Sequence, residues 1–124
     1  MREILFRGKS IYTGKWAVSV CPHGVMRSGH LCDDFIPDTV GQLTGLTDKN
    51  GKRVFEHDVI KHDFGDEIGV IRYGEYRGGH VGFYVDWVRG TASELLRKDL
   101  AYWMKIVEII GNIHDNPELL GGER

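Results

Sequence analysis

The chain has 124 residues and a mass of 14.1 kDa, which suits one compact domain or two very small lobes sharing a core. Its 41% apolar and 27% charged residues are ordinary for a globular protein, while 17 glycines without a repeating period favour dense tight turns and exclude collagen. Sixteen basic against eighteen acidic side chains give a net charge of -2, which excludes a surface built throughout to neutralise phosphates.

In chain order, Ile4-Leu5-Phe6 and Trp16-Ala17-Val18-Ser19-Val20 are apolar runs separated by Gly8-Lys9-Ser10 and Thr13-Gly14-Lys15, the pattern of a β-meander. Period 2 sets Trp16, Val18 and Val20 on one face of the second strand and Ala17, Ser19 and Cys21 on the other, so a half-buried strand is expected. The next stretch runs from Cys21 to Cys32. Read as a hairpin with residues 24–29 as its loop, it sets Cys21 opposite Cys32 and His23 opposite His30, all on one face. Three readings stay open for these four residues: reduced cysteines with surface histidines, a zinc site, or a cross-strand disulfide. The Cys-x-His and His-x-Cys spacing is not that of common structural zinc knuckles, and no metal or other cofactor is expected.

Asp48-Lys49-Asn50-Gly51-Lys52 is the strongest turn signal, reversing the chain into Arg53-Val54-Phe55. Ile68 to Tyr73 and His80 to Val88 read as a second hairpin, with Val81, Phe83, Val85 and Trp87 on one face and residues 74–79 as a mobile loop. Thr91-Ala92-Ser93-Glu94 fits a capping box and starts a helix over about 92–103. Ile106 to Ile110 then reads as a strand, Gly111-Asn112 as a turn, and Asn116-Pro117-Glu118-Leu119-Leu120 as one terminal helical turn.

Few residues carry chemistry. His57-Asp58, His62-Asp63 and His114-Asp115 look like acid–base pairs, but neighbours on an extended chain point to opposite faces, so none is assigned a catalytic role. No nucleophile elbow, phosphate loop, dinucleotide fingerprint or His-Glu-x-x-His helix occurs, and an enzyme is not expected. No apolar run approaches the roughly 20 residues that cross a bilayer, and the N-terminus has no secretory pattern, so no membrane contact and a cytoplasmic location are expected. Charge is unevenly spread: residues 1–30 hold five basic side chains against Glu3, a local +4, and residues 56–67 hold five acidic ones against Lys61, a local -4.

Three stretches, Met1-Arg2-Glu3-Ile4-Leu5-Phe6-Arg7-Gly8-Lys9, Thr44 to Lys52 running into Phe55-Glu56-His57-Asp58-Val59-Ile60, and Ile110-Gly111-Asn112-Ile113-His114-Asp115-Asn116-Pro117-Glu118-Leu119-Leu120, resemble the YopX family, small proteins of bacteriophages and prophages of Gram-positive bacteria. The family has no established biochemical activity. The resemblance implies a mainly β fold whose C-terminal part is a small SH3-like barrel entered at Glu56 to Ile60. The family usually has Glu-Gly-Asp where this chain has Glu56-His57-Asp58, which suggests that the backbone at residue 57 does not need positive φ, or that the turn has shifted.

The expected architecture is therefore mainly β: an N-terminal β-meander lobe over 1–45 and an SH3-like barrel lobe over 46–124, sharing a core, with one short helix near 92–103. The expected function is that of a non-catalytic interaction or assembly module, a homo-oligomer built mostly through its first 40 residues, with a phage or host protein as a further partner. Tyr73, Tyr76 and Tyr84 are its candidate binding residues, and Trp87 is assigned to the core. The alternative is a nucleic-acid-binding barrel using Arg2, Arg7, Lys9, Lys15 and Arg27, which the acidic middle of the chain disfavours. A small hydrolase based on a His-Asp pair is the third class.

Overall fold

A computed structural model describes residues 4–27, 29–63, 66–76, 78–89 and 100–120, with backbone alone at 27, 30–33 and 89. The chain is mainly β, and it divides into two compact units, Met1–Gly45 and Leu46–Arg124.

In the first unit β1 (Phe6–Lys9) and β2 (Trp16–Ser19) form an antiparallel hairpin with Phe6 opposite Ser19 and Lys9 opposite Trp16. Ser10 closes its loop: the hydroxyl oxygen accepts the N–H groups of Tyr12 and Thr13, and the backbone N–H reaches the Lys15 carbonyl. Gly8 is not part of that turn. It lies within β1 under the ring of Phe35, where an added Cβ would come 2.6 Å from the ring, so its missing side chain is a packing requirement. Of the two faces of β2, that of Ser19 is buried, whereas Val18 and the following Val20 are 48% and 71% exposed and point outward.

β3 (Gly24–Arg27) and β4 (His30–Asp34) form the second hairpin, and a 3-10 turn at Pro37–Thr39 leads into β5 (Gly41–Thr47), whose first residues pair with β1. Thr39 fixes that turn by donating its hydroxyl to the Ile36 carbonyl and accepting the Lys9 N–H.

The end of β5 enters the second unit. There the Asp48 carbonyl accepts the Gly51 N–H, the Asp48 N–H reaches Lys52, and Gly51 takes φ +82°, which turns the chain into β6 (Arg53–Phe55) at the position the sequence predicts. Gly51 alone adopts positive φ there; Asn50 does not.

β7 (Asp58–His62), β8 (Ile68–Tyr76), β9 (His80–Arg89) and β10 (Val107–Asn112) form an antiparallel sheet in the order β10-β7-β8-β9. The sheet is buried on both faces, because Val59 and Ile60 of β7 and Ile68, Val70 and Ile71 of β8 send apolar side chains to opposite sides of it. One face packs Val54, Ile60, Ile71, Val85 and Trp87 with Leu100, Trp103 and Met104 from the short helix α1 (Leu100–Trp103) and its end. The other packs Val59, Ile68 and Val70 under Ile110, Ile113, Leu119 and Leu120, the last two from a 3-10 turn at Pro117–Leu120. Of the helix expected over 92–103, the described part is Leu100–Trp103; residues 92–99 and their capping box lie outside the described residues. An SH3-like barrel is the finer expectation; the pairings among the described residues give this four-stranded sheet.

Candidate functional site

The β8–β9 hairpin is longer than its sequence suggests, and this arranges the candidate tyrosines. Pairing continues through Gly74 opposite Gly82 and Glu75 opposite Val81 to Tyr76 opposite His80, so residues 74–76 belong to a strand. A sheet neighbour pair of two glycines leaves a bare patch of backbone. Tyr84 leans across it, its ring edge 3.8 Å from where a Gly74 Cβ would stand, and stacks on Tyr76 with ring centroids 5.2 Å apart and planes at 27°. His80 adds a third ring, 5.8 Å from Tyr76. Arg72 and Asp86 border this row with a 3.0 Å ion pair. Alternation places Tyr73 on the opposite face, where it meets Phe83 edge to face at 5.0 Å and is 56% exposed. The structure thus brings Tyr76 and Tyr84 together and separates Tyr73 from them. Trp87 is 5% exposed and sits against Trp103 and His62.

Each histidine of the three His-Asp neighbours makes a side-chain contact away from its own aspartate. His62, buried, stacks on Trp103 and meets the buried Glu67 carboxylate at 2.7 Å, while Asp63 pairs with Lys49. Asp58 accepts the Phe55 N–H, which ties β6 to the start of β7. His57 and His114, 57 positions apart, face each other with Nδ1 of His57 and Nε2 of His114 separated by 3.1 Å. Glu56 approaches the other ring nitrogen of His57 at 3.6 Å. The backbone at His57 takes φ +78°, so the expectation that a residue with a Cβ removes the need for positive φ is overturned. The conformation is held from both sides, with the His57 N–H bonded to the Ile71 carbonyl at 2.7 Å and its carbonyl accepting the Ile113 N–H.

The cysteine–histidine hairpin pairs differently from its expected register. Gly24 faces Asp34, Met26 faces Leu31 and Arg27 faces His30, with a register shift between Val25 and Met26. Its reversal lies between Arg27 and His30 instead of spanning 24–29, and the His23 carbonyl accepts the Phe35 N–H. The proposed opposition of Cys21 to Cys32 and His23 to His30 is therefore not formed. Gly29, with φ +80°, allows the tighter turn. Cys21 is a free thiol, and its N–H bonds to the Ser19 hydroxyl. Among the described residues no three His, Cys, Asp or Glu side chains form a metal-binding group.

In the first unit Trp16 carries two of the cations on which the nucleic-acid-binding alternative rests. Arg7 lies 4.9 Å and Lys9 5.4 Å from its ring centroid, because β1 and β2 set Lys9 directly opposite Trp16 and Arg7 diagonal to it.

The family model described as YopX protein matches residues 7–121. The chain belongs to the YopX family. The YopX match includes residues 21–36 and 74–103, which lie outside the three stretches that carry the resemblance. Protein EF1440 from Enterococcus faecalis, known from a crystal structure, is similar in fold: 24% identical, with a TM-score of 0.52 over 97% of this chain and 99% of that one. No curated protein matches the chain significantly. No helix among the described residues is long and apolar enough to cross a membrane.

Proposed function

We propose that this YopX protein is a phage- or prophage-encoded, non-catalytic interaction module that self-associates through β2 and works in the cytoplasm of the host cell. The observation that carries this reading is the outward face of β2. That strand ends the order β2-β1-β5-β6, and Val18 within it and Val20 just after it are exposed. An end strand with exposed apolar side chains is a template for another strand, and a two-fold axis would let two copies pair β2 with β2. β9 ends the other four-stranded sheet and exposes Val81 and Val88, which gives a further protein partner a second edge. Light scattering coupled to size exclusion at micromolar concentration tests the reading: an oligomer is expected, and a mass near the 14.1 kDa of one chain refutes it. The double variant Val18→Lys/Val20→Lys is expected to be monomeric, whereas Val81→Lys leaves the oligomer intact. An oligomer that survives the β2 substitutions places the interface elsewhere.

The cations on Trp16 favour a second reading, single-stranded nucleic acid bound by phosphate contacts to Arg7 and Lys9 with base stacking near Trp16. Retention on immobilised single strands at ~50 mM salt, weakening steeply as salt is raised, is its signature. No retention at low salt eliminates it.

A further inference from the structure

We propose that His57 and His114 form a two-histidine site for a divalent transition-metal ion of zinc or nickel type. Their facing nitrogens, Nδ1 and Nε2, are 3.1 Å apart, with the rings inclined at 75°. In the metal-free chain one nitrogen donates its proton and the other accepts it. Two imidazole nitrogens each ~2.0–2.1 Å from a tetrahedral zinc ion stand about 3.3 Å apart, so the present separation is within about 0.2 Å of the metal-bound one, and binding requires the two rings to turn until their lone pairs converge on the ion.

The surroundings fit the same chemistry. Ligating histidines characteristically present their second ring nitrogen to a carboxylate, which fixes the tautomer and raises the basicity of the ligating atom. Glu56 stands 3.6 Å from Nε2 of His57 and favours the proton there, which leaves the lone pair of Nδ1 directed at His114. Metal binding then requires His114 to carry its proton on Nδ1, a tautomer exchange through solvent that changes neither the number of protons nor the charge of the imidazoles. Both ligands are held by backbone: His57 by Ile71 and Ile113, and His114 through its N–H to the Asn112 side-chain oxygen at 3.0 Å. The His57 side chain is 18% exposed, so the pair stands near solvent, from which water would complete the coordination of a bound ion. The side chain occupies a positive-φ position that glycine would fill without strain.

Calorimetric titration of the full reduced chain with Ni²⁺ and with Zn²⁺, alongside ring ¹⁵N spectra of the histidines, tests the site. One equivalent is expected to bind, with the His57 and His114 resonances moving first. His57→Gly and His114→Gln are each expected to weaken binding by about tenfold or more. Glycine accepts the φ of residue 57, so His57→Gly keeps the fold and serves as the decisive variant. Absence of binding below ~1 mM metal overturns the proposal, and so does undiminished affinity in His57→Gly, which assigns the ion to other histidines.

Discussion

Asp48 joins two parts of the second unit through one carboxylate. Its oxygens accept the N–H groups of Asn50 and Lys52 at 2.9 Å and of Ile109 at 3.0 Å, the last 61 residues away. Burial pushes its pKa up, but the backbone donors, Ile109 first, outweigh that and hold the carboxyl below its ordinary 3.8. A folded-state pKa below the unfolded one gives stability that is present above about pH 4 and lost as the pH falls through the folded value. Asp48→Ala is therefore expected to cost about 2–3 kcal/mol in urea unfolding at pH 7, with the gap to wild type narrowing in acid. A constant gap from pH 7 to pH 3 would show that the charge is not what those amides need. His57 gives a second expectation at this scale: His57→Gly and His57→Ala both lose the ring, but only glycine relieves the positive φ. The glycine variant should be about 1 kcal/mol more stable than the alanine variant by the same measurement. The turn at Asn50-Gly51 is legible in the sequence because its signals are local. The bond to Ile109 and the strain at His57 are not, since only the assembled sheet supplies their partners.

Among the elements, the β8–β9 hairpin separates what glycine spacing can reveal from what it cannot. Gly74, Gly78 and Gly79 read together as a loop, yet Gly74 faces Gly82 within the ladder, and the Tyr84 ring, stacked on Tyr76, comes 3.8 Å from where a Gly74 Cβ would stand. Gly69 has the opposite character. A Cβ there would stand 2.5 Å from Cγ1 of Val85 and 3.0 Å from the Trp87 ring, both buried. Gly69→Ala is expected to cost about 1–3 kcal/mol through overpacking, and Gly74→Ala, with its nearest atom at 3.8 Å, to stay within about 0.5 kcal/mol of wild type. Equal effects of the two substitutions in thermal unfolding would contradict this packing. The β2 strand illustrates a different limit: its period-2 pattern is visible in the sequence, but period alone does not say which face is buried, and here the face of Ser19 is.

At the scale of the molecule, a sheet that is apolar on both faces needs two covers, and the second is supplied late in the chain. Mainly β content is legible from turn density and alternation, whereas the two-sided burial of β7 and β8 is not, because it depends on the segment beyond Asn112. Ile113 and the Pro117–Leu120 turn lie over Val59, Ile68 and Val70, and Asn116 anchors that turn by bonding its N–H to the Asn112 carbonyl and its side-chain oxygen to the Asn112 N–H. Gly111 permits the close approach, since a Cβ there would stand 2.5 Å from the Asn116 oxygen. The double substitution Leu119→Ala/Leu120→Ala removes most of the apolar cover from this turn while leaving its backbone bonds in place. Both leucines are half-buried, so a loss of about 2–3 kcal/mol in urea unfolding is expected, together with increased binding of a hydrophobic dye as Val59 and Val70 become accessible. If instead stability stays within about 0.5 kcal/mol of wild type and dye binding is unchanged, the second face does not depend on this turn for its cover.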